Sequence, residues 1–110
     1  MKNNQPLVSI IIVTWNRKEE ILDALEAIGK QSYNNIEVIV VDNGSSDGTI
    51  EEIKRLYKDY KLVCLPSNVG CEEGFNVGIV NSNGSILVYL DSDAFFEDED
   101  YQKIKSQYRD

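Results

Sequence analysis

Apolar residues along this chain fall into short dense runs, and between the runs they recur at helical spacing. Leu7-Val8-Ser9-Ile10-Ile11-Ile12-Val13 is β-branched and nearly continuous, which suits a strand covered on both faces in the middle of a parallel sheet. After Thr14-Trp15, Asn16 with Glu19 three residues on has the form of a helix N-cap, and Ile21, Leu22, Leu25 and Ile28 follow at helical period. The alternation then repeats. Ile36 to Val41 reads as a second strand and Asp42 to Gly48 as a loop; Ile50, Ile53, Leu56 and Tyr57 form one face of a helix capped by Asp47 or Ser46. Leu62 to Leu65 is a third strand, Pro66 to Gly70 a loop, and a weaker, glycine-interrupted helix reaches about Val80. A fourth strand, Ile86 to Leu90, runs into Asp91-Ser92-Asp93, and Tyr101, Ile104 and Tyr108 mark a last short amphipathic helix. The expected class is α/β: an open parallel, Rossmann-like sheet of about four strands alternating with helices, with residues 1–110 forming one domain.

In open sheets of this kind ligands sit outside the carboxyl ends of the strands, and every such end here is polar. Thr14 and Asn16 follow the first strand, Asp42 and Asn43 the second, Ser67, Asn68 and Gly70 the third, and Asp91 and Asp93 the fourth. One crevice could gather them all. Alternate residues of an extended chain face the same way, so Asp91 and Asp93 would project two carboxylates together, a natural holder for Mg2+ or Mn2+ shared with a diphosphate. The competing reading is an acidic turn that caps the next helix. Asp42 could accept from the N–H of a uracil or thymine ring or from ribose hydroxyls; equally, it could close an Asx-turn. Glycines at 70, 74 and 78 match neither a dinucleotide fingerprint nor a P-loop, and their spacing suits close packing of a helix on the sheet. Trp15 and Tyr89 are expected in the core or on a crevice wall.

Composition narrows the partners. A net charge of −8, from 19 acidic and 11 basic residues, lacks the basic footprint that nucleic acid requires, so a bound diphosphate would rely on a cation or on backbone N–H groups. The apolar runs fall far short of the roughly 18 residues that span a bilayer, and no signal-peptide pattern opens the chain; a cytoplasmic protein without a transmembrane segment is expected. There is no histidine, and Cys64 and Cys71 are expected to be free thiols.

Three stretches taken together, Val8 to Arg17, Val40 to Thr49 and Leu90 to Asp93, resemble the family-two inverting glycosyltransferases of the GT-A fold, over roughly residues 6 to 97. The resemblance implies that Thr14 and Asn16 line a nucleotide site with Asn43, Asn68 and Gly70, that Asp42 contacts the base, and that Asp91 lies near the ribose and metal. It also implies that Asp93, with Asp91, holds Mn2+ or Mg2+. The substrate would be a UDP- or dTDP-sugar whose glycosyl group passes to an acceptor hydroxyl in cell-surface polysaccharide or glycoconjugate synthesis, with contact to the inner membrane face through the acceptor. Asp42-Asn43 and the segment Asn68 to Gly78 look like the rhamnosyltransferase-like branch. Catalytic domains of the family are about twice as long, in keeping with a domain that holds two substrates, and their general base comes from the later, acceptor-binding half, so the chain is expected to be the donor-binding portion alone. Glu97 to Asp100 is read as the solvated start of a helix.

Two other classes are weighed against this. The fold could serve as a non-catalytic nucleotide-binding module, or as a fragment that forms a homodimer through uncovered sheet surface. An apolar strand ending in Asp-x-Asp also describes haloacid-dehalogenase-type phosphotransferases, where the motif follows the first strand; here it follows the fourth.

Overall fold

The computed structural model describes residues 5–91. Seven elements alternate along them: β1 (Val8–Thr14), α1 (Lys18–Gly29), β2 (Ile36–Asp42), α2 (Thr49–Leu56), β3 (Lys61–Cys64), α3 (Cys71–Val80) and β4 (Ile86–Asp91). The strands form one sheet in the order β3-β2-β1-β4, every pairing parallel. The expected class is therefore observed, and the most continuously apolar run is a central strand, all seven of its residues buried. The final helix expected around Tyr101 to Tyr108 lies outside the described residues.

The order of the strands explains the layers. From β1 to β3 the chain steps one way across the sheet, and from β3 to β4 it returns past β1 to the other side. Right-handed crossovers require the helix of that return to lie on the opposite face. Alternate residues of each strand accordingly feed two cores. Ile10, Ile12, Val38 and Val40 pack with Ile21, Leu25 and Ile28 of α1 and Ile53 of α2. Ile11, Val13, Ile39 and Val41 meet Phe75 and Val77 of α3. The helical spacing read from the sequence holds for α1, and only Ile53 of the four α2 positions is fully buried, Leu56 being 48% exposed.

The glycines of α3 act by closeness. A Cβ on Gly78 would lie 2.3 Å from Ile11 Cγ2, and one on Gly74 would lie 2.8 Å from Val13 Cγ1. Contact this tight lets α3 sit directly over β1 and β2, and it makes a well-formed ten-residue helix out of a sequence whose glycines suggest a weaker one. Gly70 does not share that face: it precedes the helix, is exposed, and has nothing within 4 Å of where a Cβ would be.

At the amino ends of the strands a polar cluster joins the return loop to the sheet. The buried Ser9 hydroxyl donates to Glu37 Oε2 at 2.6 Å and accepts from the Gly84 N–H at 2.8 Å. Asn83 N–H also donates to Glu37 Oε2, and Lys61 lies 3.4 Å from Oε1. Burial alone would raise the pKa of Glu37, and it is outweighed by the Ser9 hydroxyl, the Asn83 N–H and Lys61, which leave it below the ordinary value. This network fixes where β4 enters the sheet beside β1.

Candidate functional site

The parallel register brings the carboxyl ends together. Thr14 pairs with Asp42, Asp42 with Cys64, and Val13 with Asp91. Two backbone bonds continue the ladder into the loops, Asn43 N–H to Thr14 O at 2.8 Å and Leu65 N–H to Asp42 O at 2.8 Å. Thr14, Asp42 and Asn43 are all buried, at 2%, 0% and 2% exposure. Polar side chains are rarely sealed this fully unless something satisfies them.

Asp42 is half satisfied. Its Oδ2 accepts from Gly44 N–H at 3.1 Å and Ser45 N–H at 2.7 Å, the Asx-turn weighed as the plainer reading. Its Oδ1 is buried with no hydrogen-bond partner among the described residues, and so is Thr14 Oγ1 on the neighbouring strand. Leaving such atoms unpaired costs about 1–3 kcal/mol each, so both Asx-turn and ligand contact can hold at once, one for each oxygen. Gly44 makes the turn possible: its φ is +86°, and a Cβ there would lie 3.0 Å from the Ser67 backbone.

Asn16 is not the N-cap of α1. The cap position is Arg17, with no capping side chain. Asn16 instead adopts φ 51°, a left-handed conformation Asn tolerates better than most residues, and bonds across to the second loop. Its N–H donates to Ser45 Oγ at 2.8 Å and its Oδ1 accepts from Ser46 N–H at 2.7 Å. The first-turn N–H of Lys18 finds its acceptor in Asp47 Oδ2 at 3.1 Å. Asp47 Oδ1 accepts from both the N–H and the hydroxyl of Thr49, so one carboxylate serves the starts of α1 and α2, although the formal cap of α2 is Gly48. Burial would raise the pKa of Asp47; the Thr49 hydroxyl and the Thr49 and Lys18 N–H groups outweigh it and hold it low. Sequence reading assigned Asp47 to α2 alone; its bond to α1 depends on the loops lying side by side.

In the third loop Asn68 Oδ1 accepts from Gly70 N–H at 2.8 Å, and Asn43 reaches into the same loop from β2. Trp15, expected in the core or on a wall, is 48% exposed; Tyr89 is 38% exposed and edge-on to Phe75 with centroids 4.8 Å apart. Cys64 and Cys71 are free. Desolvation and the nearby Asp42 carboxylate push the Cys64 thiol up, which disfavours a thiolate nucleophile. Of the expected metal ligands, Asp91 is placed by its backbone at the end of β4, and Asp93 lies outside the described residues. Among the described residues no group of three or more His, Cys, Asp or Glu could hold a metal ion, and no helix is long and apolar enough to cross a membrane.

A parallel sheet with polar loops over its carboxyl edge and unsatisfied buried polar atoms there is the frame in which open α/β proteins place their ligand sites. The sequence profile of Glycosyl transferase family 2 matches residues 9–110, and the chain belongs to that family. An uncharacterized glycosyltransferase of Haemophilus influenzae is 35% identical over 103 residues, covering 91% of this chain and 41% of that protein. Glycosyltransferase AglE of Haloferax volcanii is 38% identical over 98 residues, 84% of this chain and 32% of its own length. The Escherichia coli UDP-Glc:alpha-D-GlcNAc-diphosphoundecaprenol beta-1,3-glucosyltransferase WfaP is 35% identical over 92 residues, 82% of this chain and 36% of its own. Among solved structures, S. aureus TarS 1-349 in complex with UDP-GlcNAc superposes with a TM-score of 0.82 at 26% identity, over 91% of this chain and 30% of that one. The mannosyltransferase PcManGT from Pyrobaculum calidifontis, in complex with GDP-Man and Mn2+, gives a TM-score of 0.82 at 28% identity, over 96% and 33%. The chain thus spans well under half the length of these relatives.

Proposed function

We propose that this chain is the donor-binding portion of a glycosyltransferase that takes a UDP- or dTDP-sugar, with the acceptor-binding half and general base supplied by sequence of the kind its longer relatives carry. The observation that carries this is the pair of buried, unpartnered atoms, Asp42 Oδ1 and Thr14 Oγ1, on adjacent strand ends. A carboxylate oxygen accepts the imide N–H of uracil or thymine, and a threonine hydroxyl can donate to a carbonyl or accept from a ribose hydroxyl. Guanine also offers N–H donors to a carboxylate, so these two atoms do not choose the base; the UDP-GlcNAc complex of the neighbour TarS 1-349 favours a pyrimidine donor. The WfaP name supports a UDP-sugar donor and a lipid-diphosphate acceptor, in keeping with surface polysaccharide synthesis at the inner membrane face. Asp42-Asn43 and the Asn68 to Gly78 segment favour the rhamnosyltransferase-like branch within the family.

The residues assigned to the nucleotide site, as ligand contacts or as the loop framework around them, are Thr14, Asn16, Asp42, Asn43, Asn68, Gly70 and Asp91, and those assigned to a divalent metal are Asp91 and Asp93. Carboxylate oxygens are the donors that Mn2+ and Mg2+ take. When bound, such a cation would stabilise charge on the departing nucleoside diphosphate. The protein's own part in binding is to hold the base against Asp42 and Thr14 and to keep three loops in register around it.

Calorimetric titration of UDP, dTDP and GDP with and without Mn2+ tests the reading, repeated on Asp42→Asn. Asparagine can keep its oxygen on the Gly44 and Ser45 N–H groups, but it then turns a donor toward the base. Pyrimidine affinity should fall at least about 10-fold, as expected for losing a hydrogen bond to a charged group, with the fold intact. Unchanged affinity in that variant would sink the assignment of Asp42.

A second reading, a fragment that forms homodimers, rests on exposed apolar residues where α3 leaves β4 uncovered: Ile79 at 36%, Val80 at 84%, Leu87 at 42% and Tyr89 at 38%. A monomer in sedimentation at high concentration would exclude it.

A further inference from the structure

We infer that Asn43 is a positioning residue that clamps the loop after β3 to the end of β2, and that its side chain does not itself contact the donor; the inference rests on the nucleotide-site reading above. The Asn43 amide is buried, and both of its polar atoms are already engaged with one short stretch of backbone. Its Nδ2 donates to Gly70 O at 3.1 Å, and its Oδ1 accepts from Val69 N–H at 3.1 Å. The clamp needs a group that donates at one atom and accepts at the other, which an amide does and an ionised carboxylate cannot. A second asparagine, Asn68, holds the Gly70 N–H from within the loop at 2.8 Å. Gly70 is thus fixed on both its N–H and its carbonyl, in a φ of +94° that other residues rarely adopt.

The clamp reaches further than the loop. The Gly70 carbonyl also accepts the first intrahelical bond of α3, from Gly74 N–H at 3.0 Å, and Asn43 N–H is tied to Thr14 O. Asn43 therefore links β1, β2, the third loop and the start of α3 through one side chain and its own backbone. Asp42, its neighbour in sequence, keeps Oδ1 free. The two adjacent residues divide the work: Asp42 faces the ligand, and Asn43 sets the wall beside it.

The test compares Asn43→Asp, Asn43→Ala and Asp42→Ala with wild type in two measurements on the full chain: amide exchange by mass spectrometry, and UDP affinity with Mn2+ across pH 5.5 to 8. In Asn43→Asp the carboxylate meets the Gly70 carbonyl with no proton between them. At pH 8, exchange in the segment spanning residues 66–74 should rise on the order of 10-fold while β1 and β2 stay protected, and UDP should bind on the order of 10-fold more weakly. Lowering the pH restores a carboxyl proton that can donate, so the affinity of Asn43→Asp relative to wild type should recover. Asn43→Ala should show no such recovery. Asp42, Cys64, Cys71, Glu72 and Glu73 lie around this loop and are present in wild type and in both Asn43 variants, so Asn43→Ala serves as the control for their part in the pH profile. Asp42→Ala should lose UDP without comparable loosening of residues 66–74.

Weakened UDP binding in Asn43→Asp with the loop still protected would make Asn43 a direct ligand contact and overturn the inference. Unchanged exchange and affinity would overturn it too. If wild type binds no nucleotide, the functional reading fails and takes the positioning role with it, an outcome separate from a failed clamp in a protein that does bind.

Discussion

Gly78→Ala probes the contact that seats α3 on the sheet. The added Cβ would lie 2.3 Å from Ile11 Cγ2, with Ile11 Cβ and Cγ1 each at 3.4 Å. Ile11 is fully buried in the central strand and hydrogen-bonded on both sides through its neighbours β2 and β4, so it cannot withdraw; the helix must lift or the side chain must leave its rotamer. Overpacking of this kind costs about 1–3 kcal/mol, and a distance so far inside contact places it at the upper end. Replacing a mid-helix glycine by alanine returns about 1 kcal/mol. The net loss should be about 2 kcal/mol, or roughly 10 °C in Tm for a domain of this size. Urea and thermal unfolding followed by circular dichroism would read it. The cause is separable by a cycle with Ile11→Ala: with the isoleucine methyls gone, the new Cβ has room and the alanine's helix preference emerges. The coupling between the two changes should be at least ~2 kcal/mol in the favourable direction. A Gly78→Ala variant as stable as wild type, or additive with Ile11→Ala, would show that α3 does not rest on β1 in this way.

Two further outcomes follow from the polar ties. Glu37 is held below its ordinary pKa of 4.5, so its network contributes stability above about that pH and loses it as pH falls through the lower folded-state value; urea midpoints of wild type and Glu37→Gln should converge on acidification, and parallel curves would refute the linkage. Asp47→Ala removes the acceptor at the starts of both α1 and α2 and should cost about 1–2 kcal/mol, with Asp47→Asn milder because one oxygen remains for Thr49; an effect confined to α2 in amide exchange would disprove the bond to Lys18.

The family was legible because three motifs occur in order, and the layout was legible because β-branched runs and helical periods alternate without ambiguity. β1 could be named as central from its unbroken apolar run, since only a strand covered on both faces tolerates one. The candidate site was legible as a list of strand ends. What each residue on that list does was not. Asn16 read as a helix cap and turned out to bind the neighbouring loop, because capping depends on local dihedrals that the second loop imposes. Ser9 and Glu37 drew no notice, though a polar residue inside an apolar run was a signal available in the letters; it could not say that both would meet Gly84 and Asn83, more than 40 residues further on.

The sequence by itself determined the periodicities, and through them the elements, the alternation and the family, because those depend on neighbours a few positions apart. Strand order, and with it the placing of α3 opposite α1 and α2, depended on the crossover back past β1. The division between polar atoms engaged within the protein and those left unpaired was likewise decided by the tertiary structure. Asp42 and Asn43 are adjacent in the chain and equally buried; only the arrival of the third loop uses both polar atoms of one side chain and leaves an oxygen of the other unpaired.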